Sequence, residues 1–214
     1  LIERTAMEAA LLEYWSRDGR PAEVFTPPAR RPQPVERLKM LCRLVHEVGG
    51  RGKRDETLEH LLLAAREGVP CDCGFLATLD SEKHIKIEQI WETRDRVPGV
   101  DQHVNKVEDL EANHTTGIYR RVASSGKPFR SGDVEADNDS CYMPGWQGVQ
   151  SNVTVPILSP RGKVIGVLLL ESADAAAFTA EDQAFLEILA AYAAMAIEHA
   201  GQTERRAKEG RILW

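Results

Sequence analysis

Apolar residues recur at three- and four-residue intervals in three segments of the chain, and this spacing predicts amphipathic helices. The first covers about 35–48 and the second about 55–68. The third starts at Thr179, with Asp182 in a capping-box position, and can extend to about residue 208. Its apolar stripe is wider than contact with a single sheet requires.

Strand patterns occupy the next part of the chain. The segment CDCGFLATLD is apolar on both alternations, as expected of a central strand that is covered on both faces. Its neighbour HIKIEQIW alternates cleanly, with Ile85, Ile87 and Trp91 on one side. The few residues between these two segments suit a hairpin.

The strongest hairpin lies nearer the C-terminus. The strands VQSNVTVPIL and GKVIGVLLLES are joined by Ser159-Pro160-Arg161-Gly162, in which proline and glycine suit a tight turn. Upstream, a short helix over about 115–125 is expected to lead into a brief strand, FRSGDV.

The same patterns divide the chain into two parts. Prolines concentrated between 27 and 34 predict a non-helical segment there, so residues 1–34 are interpreted as an N-terminal arm or linker. Residues 35–208 are expected to form one domain that includes its flanking helices.

Composition narrows the class of protein. An apolar content of 43% and a charged content of 28% are those of a globular domain, and no apolar stretch is long enough to cross a membrane. The formal charge of −6 disfavours nucleic acid as a partner. Four irregularly spaced cysteines and an acidic N-terminal segment without signal-peptide character indicate a cytoplasmic protein.

Two stretches together resemble the GAF domain family. SNVTVPILSPRGKVIGVLLLESADAAAFTAEDQAFLEILAAYAAMAIEHA is similar to its C-terminal half, and GIYRRVASSGKPFRSGDV to its middle helix, turn and short strand. The resemblance covers about 54–200. It implies an α+β fold: an antiparallel sheet of five or six strands, with terminal helices on one face and a ligand pocket on the other, walled by the middle helix and loops at about 92–114 and 135–150.

The resemblance also implies a function. The domain is expected to be a non-catalytic sensory or regulatory module of a signalling protein that binds a small molecule of unknown identity and acts on an output domain. Transmission is expected to run through a homodimer interface built from helices 36–48 and 180–208. Ala193 and Ile197 are expected to lie in that interface, because alanines allow close helix approach.

Candidate ligand-binding residues come from the loop CYMPGWQGVQSN and its surroundings. Aromatic rings offer stacking surface, and the glycines in the loop leave backbone amides free. In the loop and on the elements expected to face it, the candidates are Phe75, Trp91, Tyr119, Cys141, Tyr142, Trp146 and Ser151. Plain core packing is an open alternative for the aromatic residues. Thr154 could donate a hydroxyl, although a solvent-facing position is ordinary for a polar strand residue.

Other chemistries find less support. His84, His103 and His114 lack the spacing of metal ligands, so no metal site is predicted and no cofactor is identified. Cys71 and Cys73 should face the same side of a strand as buried, unreactive thiols. Two alternatives to a sensor stay open: a ligand-free dimerisation module, and an enzyme like the GAF-type free methionine-(R)-sulfoxide reductases. The second would need thiol partners for Cys141.

Overall fold

The computed structural model describes residues 31–48, 54–80, 85–92, 118–137 and 148–211. Two helices come first, followed by a pair of strands, a short helix with three strands, and a long final helix. In chain order these elements are α1 (Pro34–Val48), α2 (Arg54–Gly68), β1 (Cys73–Leu79), β2 (Ile85–Glu92), α3 (Ile118–Ser125), β3 (Phe129–Ser131), β4 (Ser151–Leu158), β5 (Val164–Ser172) and α4 (Ala180–Arg211).

The five described strands form one sheet in the order β2-β1-β5-β4-β3, and every neighbouring pair is antiparallel. The predicted β4–β5 hairpin is present, and Gly162 takes the positive φ of 75° that its turn requires. The expected α+β fold with an antiparallel sheet is therefore confirmed.

One face of the sheet is covered by the long helices, and we call it the helix face. Alternate residues of β4 and β5 point into a core shared with α2 and α4. This core includes Val153, Val155, Ile157, Leu168, Leu170, Leu58, Leu61, Leu186 and Leu189. Each such buried side chain stabilises the fold by roughly 1.5–3 kcal/mol, so this layer is the main source of stability.

A β-bulge interrupts β2. Leu76 pairs with Gln89 and Ala77 pairs with Ile87, which leaves Glu88 as an extra residue. Its carboxylate accepts a hydrogen bond of 2.8 Å from Arg54 at the start of α2 and another of 2.6 Å from Thr78. The predicted unbroken alternation through Trp91 is therefore wrong, because this buried charge pair holds Glu88 out of the strand register.

The electrostatics of Glu88 follow from those contacts. Burial alone would raise the pKa of its carboxyl, but hydrogen bonds from Arg54 and Thr78, with the charges of Arg54 and Lys86, lower it to about 2. The ionised form is therefore the stable one in the folded protein at neutral pH.

A buried carboxylate ties the N-terminal segment to the domain. Asp182 accepts hydrogen bonds from Arg31 and Arg37, and from the Thr179 backbone N–H at 2.8 Å. Arg37 also donates to the Gly68 carbonyl at 2.9 Å. Burial favours a higher pKa for Asp182, but these hydrogen bonds outweigh it and lower the pKa. The boundary between arm and domain at residue 34 stays a prediction, although Arg31 already contacts the domain.

Within the described residues, none of the helices has the length and apolar character needed to span a bilayer.

Candidate functional site

The sheet face opposite the long helices is covered by α3, and we call it the α3 face. Phe75 and Ala77 of β1 pair with Leu169 and Val167 of β5, and all four residues are buried outside the helix-face core. From above, α3 contributes Ile118, Tyr119 and Val122, which are also buried. Their packing forms a second, smaller apolar layer.

A line of polar residues crosses the α3 face. Cys73, Glu171, Asn152 and Ser131 are successive cross-strand partners on β1, β5, β4 and β3, and we call them the polar row. All four are buried. Polar side chains are seldom buried together unless they meet each other or a bound group, so this row is the candidate functional site.

Glu171 is the ionisable centre of the polar row. It is 2% exposed, and its Oε2 lies 3.9 Å from the Sγ of Cys73. Burial raises the pKa of Glu171 to about 8, and the thiol of Cys73 offsets only part of this effect. The carboxyl therefore keeps its proton at neutral pH, because nothing charged in the described part of the structure compensates its ionised form.

Two further polar atoms lie beside Glu171. The Oδ1 of Asn152 and the Oγ1 of Thr154 are buried and have no hydrogen-bond partner among the described residues. Since Asn152 and Thr154 are two residues apart on β4, their side chains lie on the same face of the sheet. An unsatisfied buried polar atom costs about 1–3 kcal/mol, which a bound ligand could recover.

The Ser131 end of the polar row already has hydrogen-bond partners. The Oγ of Ser131 bonds the carboxylate of Asp137 and accepts a hydrogen bond of 3.2 Å from the Asp133 amide. The unsatisfied acceptors therefore lie at Asn152, next to Glu171 in the middle of the row, and at the neighbouring Thr154.

The structure brings together two of the residues predicted from sequence. Phe75 and Tyr119 are both buried on the α3 face, on β1 and α3. On β2, the backbone of Trp91 pairs with Gly74 of β1. The side chain of Trp91 lies outside the described part of the structure. Cys141, Tyr142 and Trp146 also lie outside the described residues.

Ser151 is placed elsewhere. Its hydroxyl donates to the Asp174 carbonyl at 2.6 Å and accepts a hydrogen bond of 3.3 Å from the Ala177 amide. These bonds fasten the connection between β5 and α4. The structure does not bring this hydroxyl to the polar row, and a role of Ser151 in ligand binding stays a prediction.

Sequence reasoning missed Glu171 and Asn152, and it gave Thr154 a solvent-facing alternative that is wrong, since Thr154 is fully buried. The available signal was the alternation in SNVTVPIL, where Asn152 and Thr154 share one face. A second signal was the acid that ends the apolar run VLLLE.

The two neighbouring cysteines do not face the same side, contrary to expectation. Cys71 precedes β1 and belongs to the helix-face core, where burial raises the pKa of its thiol well above the usual value. Cys73 is the first residue of β1 and faces Glu171. Between them, the carboxylate of Asp72 accepts hydrogen bonds from Ser172 Oγ at 2.9 Å and the Ala173 amide at 2.8 Å. This anchoring interrupts the alternation.

Among the described residues, no group of three or more histidine, cysteine or acidic side chains could hold a metal ion. His84, His103 and His114 lie outside them.

Comparison with known proteins adds a family and a fold. A family model for the GAF domain matches residues 53–198. The GAF domain of a phosphoenolpyruvate-protein phosphotransferase from Coxiella burnetii has a TM-score of 0.64 at 20% identity, covering 81% of this chain and 99% of that one. The corresponding Acinetobacter domain has a TM-score of 0.62 at 19% identity, covering 80% and 97%.

An enzyme shares the same fold. The free methionine-R-sulfoxide reductase from Neisseria meningitidis, solved with its substrate, has a TM-score of 0.63 at 17% identity, covering 83% of this chain and 98% of that one. No curated protein matches the sequence at a significant level. At these identities the structural likeness establishes the fold alone.

Proposed function

The chain belongs to the GAF domain family, and we propose that it is a sensory or regulatory domain that binds a small molecule on the α3 face. The observation that carries this proposal is the buried centre of the polar row. The Oδ1 of Asn152 and the Oγ1 of Thr154 have no hydrogen-bond partner among the described residues, and the carboxyl of Glu171 beside them is buried without a compensating charge there. Concave, mostly apolar sites with a few convergent polar groups are typical ligand sites.

The wall of the proposed site is aromatic and aliphatic. Phe75, Leu169 and Tyr119 supply buried apolar surface next to the polar row. We further propose that the sequence candidates Cys141, Tyr142 and Trp146 complete it. Apolar walls would exclude water from the polar centre and so strengthen its hydrogen bonds to a ligand.

A thermal-shift screen of small molecules tests this proposal. Compounds that stabilise the wild type are expected to bind Thr154→Val about fivefold more weakly, because one hydrogen bond to the Thr154 hydroxyl is lost. Thr57→Val on α2 is the matched control and should leave affinity unchanged. Stabilising compounds whose affinity is insensitive to Thr154 and to Asn152→Leu would place the ligand elsewhere.

We propose that the ligand signal passes to a homodimer interface on the helices. Val35, Leu38 and Val45 repeat along one side of α1, and Ile188 and Met195 along one side of α4. These apolar side chains are exposed, Met195 by 60%. A second copy that covers both stripes would bury them, as in a helix bundle.

The structure corrects the residues expected at that interface. Ala193 is 1% exposed and belongs to the core of its own chain, and Ile197 packs against the same core. Glutamate at Ala193 would place an unpaired charge inside the domain and destabilise it. Substitutions there cannot distinguish loss of dimer from loss of fold.

Met195→Glu combined with Ile188→Glu is therefore the informative variant. It is expected to give a folded monomer in sedimentation velocity, because two charges would enter the proposed interface without entering the core. Leu158→Glu, at an exposed apolar residue beside the β4–β5 turn, is the control and should stay dimeric. A wild-type protein that is monomeric at high concentration would contradict the dimer.

We propose that the domain is not an enzyme. Reduction of a sulfoxide by thiols yields a sulfide, a disulfide and water. The thiol that attacks the sulfoxide therefore needs a second thiol, with which it forms the disulfide. Cys73 faces the site, but Cys71 lies in the opposite core. Free methionine sulfoxide with dithiothreitol should show no turnover above the uncatalysed rate. Turnover that disappears in Cys73→Ser or Cys141→Ser would support the reductase alternative.

The cellular setting stays a proposal. From the sequence we expect a cytoplasmic protein with an output domain for the signal and without a nucleic-acid partner. A net charge of −6 and the free, buried thiols of Cys71 and Cys73 are compatible with this expectation. In a ligand-free dimerisation module, other groups of the protein would have to supply the hydrogen bonds that the polar row lacks.

A further inference from the structure

Resting on the proposed ligand site, we infer that this site takes a small organic molecule whose polar head is a protonated amine. Glu171 is the counter-ion of the amine, and Asn152 and Thr154 accept its remaining hydrogen bonds. An apolar chain next to the amine lies against Phe75 and Leu169.

The spacing of the three groups suits a single ammonium nitrogen. Glu171 and Asn152 are directly opposite each other on neighbouring strands, and Thr154 follows Asn152 on the same face. Opposite residues of an antiparallel pair have Cβ atoms about 4.5–5.5 Å apart, so their side chains can converge on one atom. An ammonium group has three donors, one for each of the three groups.

The charges on the α3 face favour a cation over an anion. Among the described residues there, the titratable groups are Cys73 on β1, Glu171 on β5 and Tyr119 on α3, together with the Asp137 carboxylate that Ser131 bonds at the end of the polar row. Two arginines lie nearby: Arg121 is exposed over the Phe129 ring, and Arg130 donates to the Phe178 carbonyl behind the sheet. An anionic head beside Glu171 would thus meet a buried carboxyl, and among the described residues of this face no positive charge is buried with it.

A neutral polar head is the closer competitor, and hydrogen-bond strength decides against it. Bonds between an ammonium and a carboxylate are roughly twice as strong as those between neutral groups. In the interior, the charged pair is screened less than it would be in water. No positive group among the described residues compensates the carboxylate of Glu171, so a cationic ligand supplies the missing partner.

Binding then moves a proton. The protonated carboxyl of Glu171 gives its proton to solvent, and the resulting carboxylate pairs with the ammonium, which keeps its own proton. Because the pKa of Glu171 in the empty site is about 8, each pH unit below that value weakens binding about tenfold. Above it, affinity becomes independent of pH.

The test compares three probes of matched shape: butylammonium, butanol and butyrate. An alkylammonium has a pKa of about 10, so it stays charged from pH 6 to pH 8. Ligand-observed NMR titrations at both pH values give the affinities. Butylammonium is expected to bind tightest at pH 8 and about fiftyfold more weakly at pH 6, while butanol shows no such change.

Two variants assign the effect to one residue. Glu171→Gln is expected to remove both the preference for butylammonium and its dependence on pH. Glu187→Gln, the same change at an exposed carboxylate of α4, should alter neither. Thermal unfolding of both variants verifies that they are folded.

The outcomes separate this inference from the proposed function. Equal or tighter binding of butanol or butyrate on the α3 face would overturn the amine and leave the ligand site standing. Preference for butylammonium that survives Glu171→Gln would also overturn it. Binding of none of the three probes, together with a thermal-shift screen that finds no ligand, would overturn both.

Discussion

Asp182→Ala is expected to lower the free energy of unfolding by about 4 kcal/mol, as removal of one partner of a buried ion pair does. The change leaves Arg37 in its buried position without a carboxylate and removes the acceptor of the Thr179 amide at the start of α4. Urea unfolding at pH 7 measures the loss. Detachment of α1 is expected to accompany it, because Arg37 links that helix to Asp182 and to the Gly68 carbonyl.

A double-mutant cycle makes this prediction specific. Once Asp182 is alanine, Arg37→Met should lower the free energy of unfolding little further. The methionine side chain can still cover the Phe185 ring, whose centroid lies 5.3 Å from the guanidinium carbon of Arg37. Glu187→Ala, at an exposed carboxylate farther along α4, should change stability much less. Additive losses from Asp182→Ala and Arg37→Met would contradict a functional pairing of the two residues.

Glu171→Gln is expected to stabilise the ligand-free protein by about 3 kcal/mol at pH 7. The folded-state pKa of Glu171, about 8, lies above its ordinary value of 4.5. The unfolded chain therefore ionises first, and wild-type stability falls as the pH rises from about 4.5 to about 8. Glutamine cannot ionise, so the advantage of the variant should vanish near pH 4 and grow towards pH 8.

Glu88→Gln is the matched comparison, with the opposite sign. The pKa of Glu88 is lowered to about 2, so its contribution is present above about pH 4.5 and is lost as the pH falls towards 2. The variant should be less stable than the wild type at pH 7. Equal pH profiles for Glu171→Gln and the wild type would show that Glu171 is not desolvated and would remove the main support for the polar row.

The elements and the family could be predicted from the sequence because their signals are local. The β4–β5 hairpin is marked by Pro160 and Gly162, and α4 by the capping residues Thr179 and Asp182. The periodicity of α1 and α2 likewise depends only on near neighbours in the chain. Such patterns place helices and strands without knowledge of what packs against them.

Contacts between residues far apart in the chain determine the structural features that the sequence did not predict. The bulge at Glu88 depends on Arg54, which lies 34 residues earlier in the chain. Cys71 and Cys73 separate because Asp72 bonds the far end of β5. These are long-range contacts, and no window of the sequence contains both partners.

The site was predicted in part for the same reason. Aromatic candidates such as Phe75 and Tyr119 follow from composition and expected position, and both are on the α3 face. Glu171 and Asn152 become neighbours only through the pairing of β4 with β5. Ala193 looked like an interface residue because a helical stripe alone does not show which part the domain's own sheet covers.

Neighbouring residues of β5 offer the most direct test of a ligand site on the α3 face. Val167 and Leu169 point to that face, whereas Leu168 and Leu170 point to the helix-face core. In methyl-labelled protein titrated with compounds from the thermal-shift screen, we expect saturable shifts at Val167 and Leu169 that clearly exceed those at Leu168 and Leu170. Shifts confined to Leu168 and Leu170, or no shifts with any stabilising compound, would contradict the proposed site.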